Sequence, residues 1–341
     1  MVTLKDVARS VALSVTQVSR ALNDHSDVNE ETRRRVKDAA ARLGYEPNIS
    51  ARKLVSGRSG IVALVEQKYP GITSDFLFFE IVAGLSAEFS RRGMQFMLHV
   101  AEEGDDIIAV YQKLIGNGLV DGFVLTKPVE NDPRIAYLTA RKVPFVVHGR
   151  LPTQTAYPYF DIDNRRVGTT ITGVLAGLGH VRIGFINGTA QSTFALARLA
   201  GYRETLAAHG IAFDPALVRH GMMTEDFGYR SAAEMLSMPG RPTALFCSNM
   251  LIARGAYRAI ADAGLTVPGD VSVIAHDDAL PNTDAAGFAP PLSVTFSPLS
   301  ESWPPLAEFL AMAIDGAPLG QIQRVGQPVY LERQSVARPK I

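Results

Sequence analysis

Cysteine is almost missing from this sequence: Cys247 is the only one in 341 residues. That excludes an internal disulfide framework and any multi-cysteine metal site, and Cys247 itself reads as a small apolar residue at a strand end. No apolar run approaches the length that crosses a bilayer, and the first residues lack a basic segment followed by a hydrophobic stretch and cleavage site. A soluble, cytoplasmic protein with no membrane partner is therefore expected. The marks of common catalysts are absent too: there is no GxSxG elbow, no P-loop, no HExxH and no pair of histidines four residues apart. GLGHVR at 177–182 precedes a predicted strand, whereas a dinucleotide-binding turn follows one, so His180 reads as structural. Asp277 and Asp278 alone are too few oxygen ligands for a hard cation. No enzymatic activity, cofactor or metal is expected.

What is present is a chain 47% hydrophobic, long enough for two or three domains and a sizeable core. The formal net charge is zero, but its distribution is uneven. Residues 1–60 hold eleven Lys and Arg against seven acids, which leaves the remainder mildly acidic. A basic first domain suits phosphate, although a solvated helical surface has the same balance.

Caps and periodicity predict three short helices in that first domain. Thr3 with Asp6 opens the first, and Leu4, Val7, Ala8 and Val11 form its apolar stripe. Ser14 with Gln17 is a capping-box pair for a second helix over 15–23, only two residues after the first stripe ends, which is helix-turn-helix spacing. Asn29 can cap a third, with Val36, Ala40 and Leu43 inward and Gly44 as its stop. On the second helix, Val15, Val18 and Leu22 share one face and Thr16, Gln17, Arg20 and Asn23 the other. Arg, Thr and Gln are the side chains of a major-groove reader, and equally of an ordinary solvated face.

The stretches TLKDVARSVALSVTQVSRALN, VNEETRRRVKDAAARLGYEPN and ARKLVSGRS together resemble the headpiece and hinge of the LacI/GalR family of bacterial transcription repressors. The resemblance implies that Val15, Thr16 and Arg20 read bases, that Ser14, Gln17, Ser19 and Asn23 help hold phosphates, and that Thr3 and Asn48 belong to the same DNA-contacting set. Val15 stays ambiguous, because the helical wheel puts it on the buried stripe. In the family, the segment equivalent to 48–58 folds as a hinge helix on DNA. Carried over, Leu54 is the wedge in the minor groove, with Ala51 packing beside it and Arg52 or Lys53 near phosphate; the plainer alternative packs Leu54 on the body. Two positions depart from the family pattern: Ala12 stands where the turn normally has Gly, so a positive φ there would carry strain, and Gln17 stands where Thr is usual.

From residue 59 onward, short β-branched runs at 61–66, 95–100, 122–126, 144–149, 182–187, 243–248, 271–276 and 293–296 alternate with helical stretches at 78–92, 105–117, 165–178, 196–209, 229–238 and 250–263. Such alternation implies parallel sheets, and a break near 161–166 suggests two of them. VYLERQSV reads as the last strand. The resemblance continues through DIDNRRVG, GLGHVRIGFING, PTALFCSN and GLTVPGDVSVIAHDD. It implies an all-α helix-turn-helix headpiece (1–47), a hinge (48–58) and an α/β periplasmic-binding-protein-like body (59–341) of two doubly wound lobes. The first lobe would take 59–161 plus 295–325 and the second 162–294 plus 326–341, joined by three crossovers with ligand in the cleft.

Open α/β sheets bind ligands beyond the carboxyl ends of their strands. An acid, an amide and a guanidinium placed there can bracket the adjacent hydroxyls of a sugar, and the resemblance makes Arg198, Asn249 and Asp277 those contacts. Phe194 falls at a cleft position. Phe76, Phe78 and Phe79 can stack on a pyranose or belong to the core. Met250 replaces an acid usual in the family, which puts one polar contact in doubt. The implied protein is a homodimer on a pseudo-palindromic operator, a repressor of carbohydrate-utilisation genes released by a small sugar. Alternatives are control by a protein co-regulator, an activator role, or a solute-binding protein or enzyme on the same fold.

Overall fold

The computed structural model describes residues 2–22, 25–45, 58–69, 76–151, 155–281 and 283–340. The chain divides into two compact units, Met1–Gly60 and Ile61–Ile341.

The first unit holds helices α1 (Leu4–Val11), α2 (Val15–Leu22) and α3 (Glu30–Leu43). Each begins where its cap stands. Thr3 and Asp6 form a capping box, with the Thr3 backbone N–H donating to Asp6 Oδ2 at 2.9 Å. The Ser14 N–H donates to Gln17 Oε1 at 3.0 Å while the Gln17 N–H donates to Ser14 Oγ at 3.1 Å. Asn29 Oδ1 accepts from the Thr32 N–H at 2.8 Å. The core joins Val7, Ala8 and Val11 to Val18 and Ala21 and to Val36, Ala39 and Ala40. Small and β-branched residues at these contacts let three short helices pack that would not persist singly. Arg35 ties α3 to the end of α1 by donating to the Val11 carbonyl at 2.9 Å. Ala12 adopts φ 53°, the left-handed turn anticipated for it, and Gly44 ends α3 at φ 64°.

The second unit contains two six-stranded sheets. The first is built from β1 (Ile61–Gln67), β2 (Gln95–Ala101), β3 (Gly122–Leu125), β4 (Phe145–His148), β5 (Tyr159–Ile162) and β11 (Gln323–Gly326), in the order β11-β5-β4-β3-β1-β2. The second is built from β6 (Ile183–Asn187), β7 (Val218–His220), β8 (Ala244–Cys247), β9 (Ser272–Asp277), β10 (Ser293–Phe296) and β12 (Val329–Leu331), in the order β12-β10-β9-β8-β6-β7. Every pairing is parallel except that of β10 with β12.

Helices cover both faces of each sheet, as a doubly wound fold requires. In the first lobe α4 (Phe76–Arg91) and α11 (Trp303–Ile314) pack on Val62, Leu64 and Val146. Helices α5 (Ile107–Gly116) and α6 (Pro133–Ala140) pack on Ala63, Val65 and Val147, the side chains that alternate to the other face. In the second lobe α7 (Asn164–Gly177) and α8 (Thr193–Ala208) take one face, and α9 (Glu225–Leu236) and α10 (Met250–Asp262) the other.

Glycines let α7 and α8 approach closely. A Cβ on Gly168 of α7 would lie 2.2 Å from the Arg198 carbonyl oxygen, and one on Gly201 of α8 would lie 2.2 Å from that of Arg165. The two backbones can cross so tightly only without those side chains.

The chain passes between lobes three times: from β5 to α7, from β10 to α11, and from β11 to β12. It stays in the second sheet through Phe296 and in the first through Gly326. Five elements were not anticipated from the sequence: β5, β7, β11, α6 and α11. Among the described residues no helix is long and apolar enough to cross a membrane.

Candidate functional site

In the first unit, the outer face of α2 presents Thr16, Gln17 and Arg20, all exposed, with Ser14 exposed at the cap, Ser19 half-buried and Thr3 exposed at the start of α1. Val15 is 39% exposed at the helix tip, whereas Val18 and Ala21 are fully buried. The buried stripe of α2 thus starts one turn later than the wheel suggests. Arg20 Nη2 lies 2.6 Å from Asp27 Oδ2, and both side chains are about half exposed. Gln17 is committed through Oε1 to the helix cap. Asn23, Asn48, Ala51 and Leu54 lie outside the described residues.

In the second unit a cavity opens between the two lobes, with about 810 Å³ of space including its solvent mouth. Leu77 and Ile81 of α4, Thr126, Lys127 and Pro128 after β3, His148 of β4 and Asp161 of β5 form its first-lobe wall. Asn164 of α7, Phe194 and Arg198 of α8, Met223 and Asp278 form the other. The lobes touch at its edge, where the Thr193 N–H donates to the Pro128 carbonyl at 3.2 Å and Val129 bridges Ser192.

Arg198 is buried and fixed from two sides: Nε donates to Asn164 Oδ1 at 2.9 Å and Nη1 to the Ser248 carbonyl at 2.6 Å. Its guanidinium carbon sits 5.3 Å from the Phe194 ring centroid, a cation–π contact. Burial lowers the Arg198 pKa to about 10, against the pull of Asp278 and Asp161, so the group is still a cation at neutral pH. Asp161, 8% exposed, is paired with Arg150 Nε at 3.1 Å and accepts from Asn164 Nδ2 at 3.2 Å. Burial outweighs Arg150 and raises its pKa to about 7.

Burial also opposes the charge on Asp278, yet the His276 ring beside it and the Arg198 guanidinium hold its carboxyl below the ordinary value. His276 is itself pushed down by burial, with the positive charge of Arg198 adding to the effect. Its Nε2 lies 3.1 Å from Asp278 Oδ1 and its Nδ1 3.0 Å from Thr295 Oγ1. In a neutral ring Nδ1 can accept from the Thr295 hydroxyl, while Nε2 faces the Asp278 carboxylate at ion-pair distance without hydrogen-bond geometry. His148, half-buried in the wall, is pushed down to about 4 by desolvation and is neutral. The cavity therefore combines a fixed cation, carboxyl oxygens, a neutral imidazole and an aromatic ring: donors and acceptors for hydroxyls beside a surface for stacking.

The cavity brings together Phe194 and Arg198 from the set read in the sequence. Asn249 caps α10 through the Ile252 N–H at 2.9 Å and holds the Met223 carbonyl through Nδ2 at 3.2 Å, so it stands behind a wall residue. Asp277 ends β9, its Oδ1 accepting from the Ala279 N–H at 2.8 Å, and the next residue, Asp278, faces the cavity. Phe78 is buried and packs edge-on against Phe79, which is 53% exposed; neither lines the cavity. Phe76 begins α4, its side chain outside the described residues. Met250 is a core residue. Sequence reasoning missed Asp161, Asn164, His148, Thr126 and Lys127, although all but Asn164 sit at or just past the carboxyl ends of parallel strands.

A small helical unit with an exposed polar helix face, in one chain with a two-lobed body that holds a cavity with charged groups between its lobes, defines a ligand-responsive DNA-binding regulator. Residues 3–48 match the model of the bacterial regulatory proteins of the lacI family, and residues 172–336 match the periplasmic binding protein-like domain. The HTH-type transcriptional regulator AglR of Rhizobium meliloti (strain 1021) is 42% identical over 299 residues, 87% of this chain and 84% of that protein. CelR of Thermobifida fusca, likewise an HTH-type transcriptional regulator, is 33% identical over 337 residues, 98% of each. Among solved structures, a complex of the regulator CelR with cellobiose superposes with a TM-score of 0.70 at 30% identity, covering 98% of this chain and 100% of that one. The lac repressor dimer bound to operator and the anti-inducer ONPF gives 0.77 at 25% identity, covering 98% and 99%. This chain belongs to the lacI family of bacterial regulatory proteins, which are transcriptional regulators and not enzymes.

Proposed function

We propose that this protein is a homodimeric repressor of carbohydrate-utilisation genes, acting in the cytoplasm and released from a pseudo-palindromic operator by a small sugar. The observation that carries the reading is the constellation of buried Arg198, Asn164 and Asp161 with the half-buried Asp278 beside the Phe194 ring, in a cavity whose walls belong to both lobes. Ionised and amide groups at fixed spacing suit vicinal hydroxyls, and an aromatic face suits the apolar side of a pyranose. Kinship with CelR, one of whose structures holds cellobiose, supports the same class of ligand.

In this reading Val15, Thr16 and Arg20 reach base edges, while Thr3, Ser14, Gln17, Ser19, Asn23 and Asn48 contact or frame the phosphates. Residues 48–58 act as the hinge, with Leu54 the minor-groove wedge beside Ala51. A ligand bound more tightly by one arrangement of the lobes shifts their equilibrium and so changes operator affinity.

Calorimetric titration of cellobiose, maltose, melibiose, raffinose, sucrose and trehalose into the purified dimer, paired with operator binding by fluorescence anisotropy at fixed salt, tests the proposal. Heat of binding together with operator release by at least one sugar is the expected result. Absence of both for every sugar points instead to a protein co-regulator.

A further inference from the structure

Asn164 occupies the first crossover between the lobes, where the chain leaves β5 at Ile162 and enters α7. Its side chain is buried and bonded on both sides. Nδ2 donates to Asp161 Oδ1 at 3.2 Å and to the Ile162 carbonyl at 3.2 Å, both in β5 of the first lobe. Oδ1 accepts from Arg198 Nε of the second lobe at 2.9 Å. Arg198 continues to the Ser248 carbonyl just past β8, and Asp161 continues to Arg150 just past β4. One line of polar contacts, Ser248 to Arg198 to Asn164 to Asp161 to Arg150, thus runs from the strand ends of one sheet to those of the other. Its three middle members all line the cavity.

The chemistry of that middle position is narrow. A guanidinium can only donate and an ionised carboxylate can only accept, so a neutral side chain between them has to accept on one side and donate on the other. An amide does so with two rigidly linked atoms. A carboxylate there would face Asp161 with like charge, and an apolar residue would leave a buried arginine and a buried acid each short of a partner.

Resting on the reading of the cavity as a sugar site, we propose that Asn164 is the positioning residue that couples occupancy of the cavity to the relative placement of the lobes. A ligand whose hydroxyls engage Arg198 or Asp161 acts on one end of the line, and the amide passes the displacement to the other lobe. Asn164 fixes how much binding changes operator affinity, over and above how tightly the sugar binds.

The test uses the full-length dimer and an operator selected by the wild-type protein from random duplexes. The readout is the ratio of operator Kd with and without saturating sugar, taken from the same six sugars. Asn164→Ala is expected to bind the sugar that releases the wild type, at higher concentration, but to lose about tenfold or more of the ratio at saturation. A residue that served only packing would lower the melting temperature or weaken sugar binding and leave the saturated ratio intact.

Exchanging the pair provides the rescue. Assayed above pH 8, where Asp161 is ionised, Asn164→Asp alone sets two carboxylates together and is expected to lose the coupling, whereas Asp161→Asn with Asn164→Asp restores an amide-to-carboxylate bond and an oxygen for Arg198, and is expected to regain it. This exchange decides the matter if Asn164→Ala does not fold. A full ratio in Asn164→Ala, or equal ratios in Asn164→Asp and the double variant, overturns the inference while the sugar reading stands. Failure of all six sugars to release the wild type overturns both.

Discussion

An exposed pair such as Arg20 with Asp27 is worth at most about 1 kcal/mol, because water screens it and two long side chains lose freedom. A guanine offering O6 and N7 to the same guanidinium gains more and readily displaces Asp27. Arg20→Ala is therefore expected to weaken binding to the selected operator by about 1–3 kcal/mol and to relax preference at one base position. Competition anisotropy checks this, and equal losses on operator and random DNA would make Arg20 a phosphate contact instead. In the body, Asp161 keeps its proton more tightly when folded than at the ordinary value of 3.8. As pH rises from about 4 to about 7 the folded chain must ionise a buried acid, so this residue removes stability across that window and no more above it. His148 works the other way: burial resists its protonation, so its contribution is lost as pH falls from 6.5 toward about 4. Asp161→Asn isolates the first effect. Its stability in urea relative to wild type is expected to improve between pH 5 and pH 8, and an unchanged difference would mean that Arg150 already compensates the ionised acid.

Among the elements, α7 and α8 depend on two glycines, and α8 carries both Phe194 and Arg198. A methyl at position 168 meets the Arg198 carbonyl at 2.2 Å, and backbone cannot yield as a side-chain tip can. Gly168→Ala is expected to cost about 1–3 kcal/mol of stability and to weaken binding of the proposed sugar ligand together with it, read by thermal melts and calorimetry. The opposite change suits the turn after α1. Ala12 at φ 53° is an exposed left-handed residue, so Ala12→Gly is expected to stabilise the headpiece by up to about 1 kcal/mol, after the entropy glycine loses on folding. These elements were unevenly legible in the sequence. The strands made of β-branched runs, such as IVALVE and RIGFIN, could be read directly, as could the three caps of the headpiece. Strands β5, β7 and β11 could not: YFDI carries a buried acid, VRH is three residues long, and QRVG is polar because it lies at a sheet edge. The same cause hid part of the cavity, since Asp161 looked like a break between halves while it is a strand residue facing the ligand space. At the end of β9, pattern alone could find the pair Asp277–Asp278, but which of them turns inward depends on where the chain leaves the sheet.

At the scale of the molecule, a net charge of zero conceals a basic headpiece on an acidic body. Each lobe is completed by a strand taken up late: β11 forms one edge of the first sheet beside β5, and β12 one edge of the second beside β10. The order of synthesis acquires a meaning from this threading. A ribosome translating the message delivers the three-helix headpiece early, as a local bundle that needs nothing downstream, whereas both sheets wait for residues beyond 320 before their outermost strands exist. Protein translated only to residue 320 is expected to melt earlier in both lobes and to aggregate through the exposed edges, as light scattering on the purified fragment would register. A late nonsense codon in the reading frame would thus leave an intact helical head joined to a body whose sheets lack their outermost strands.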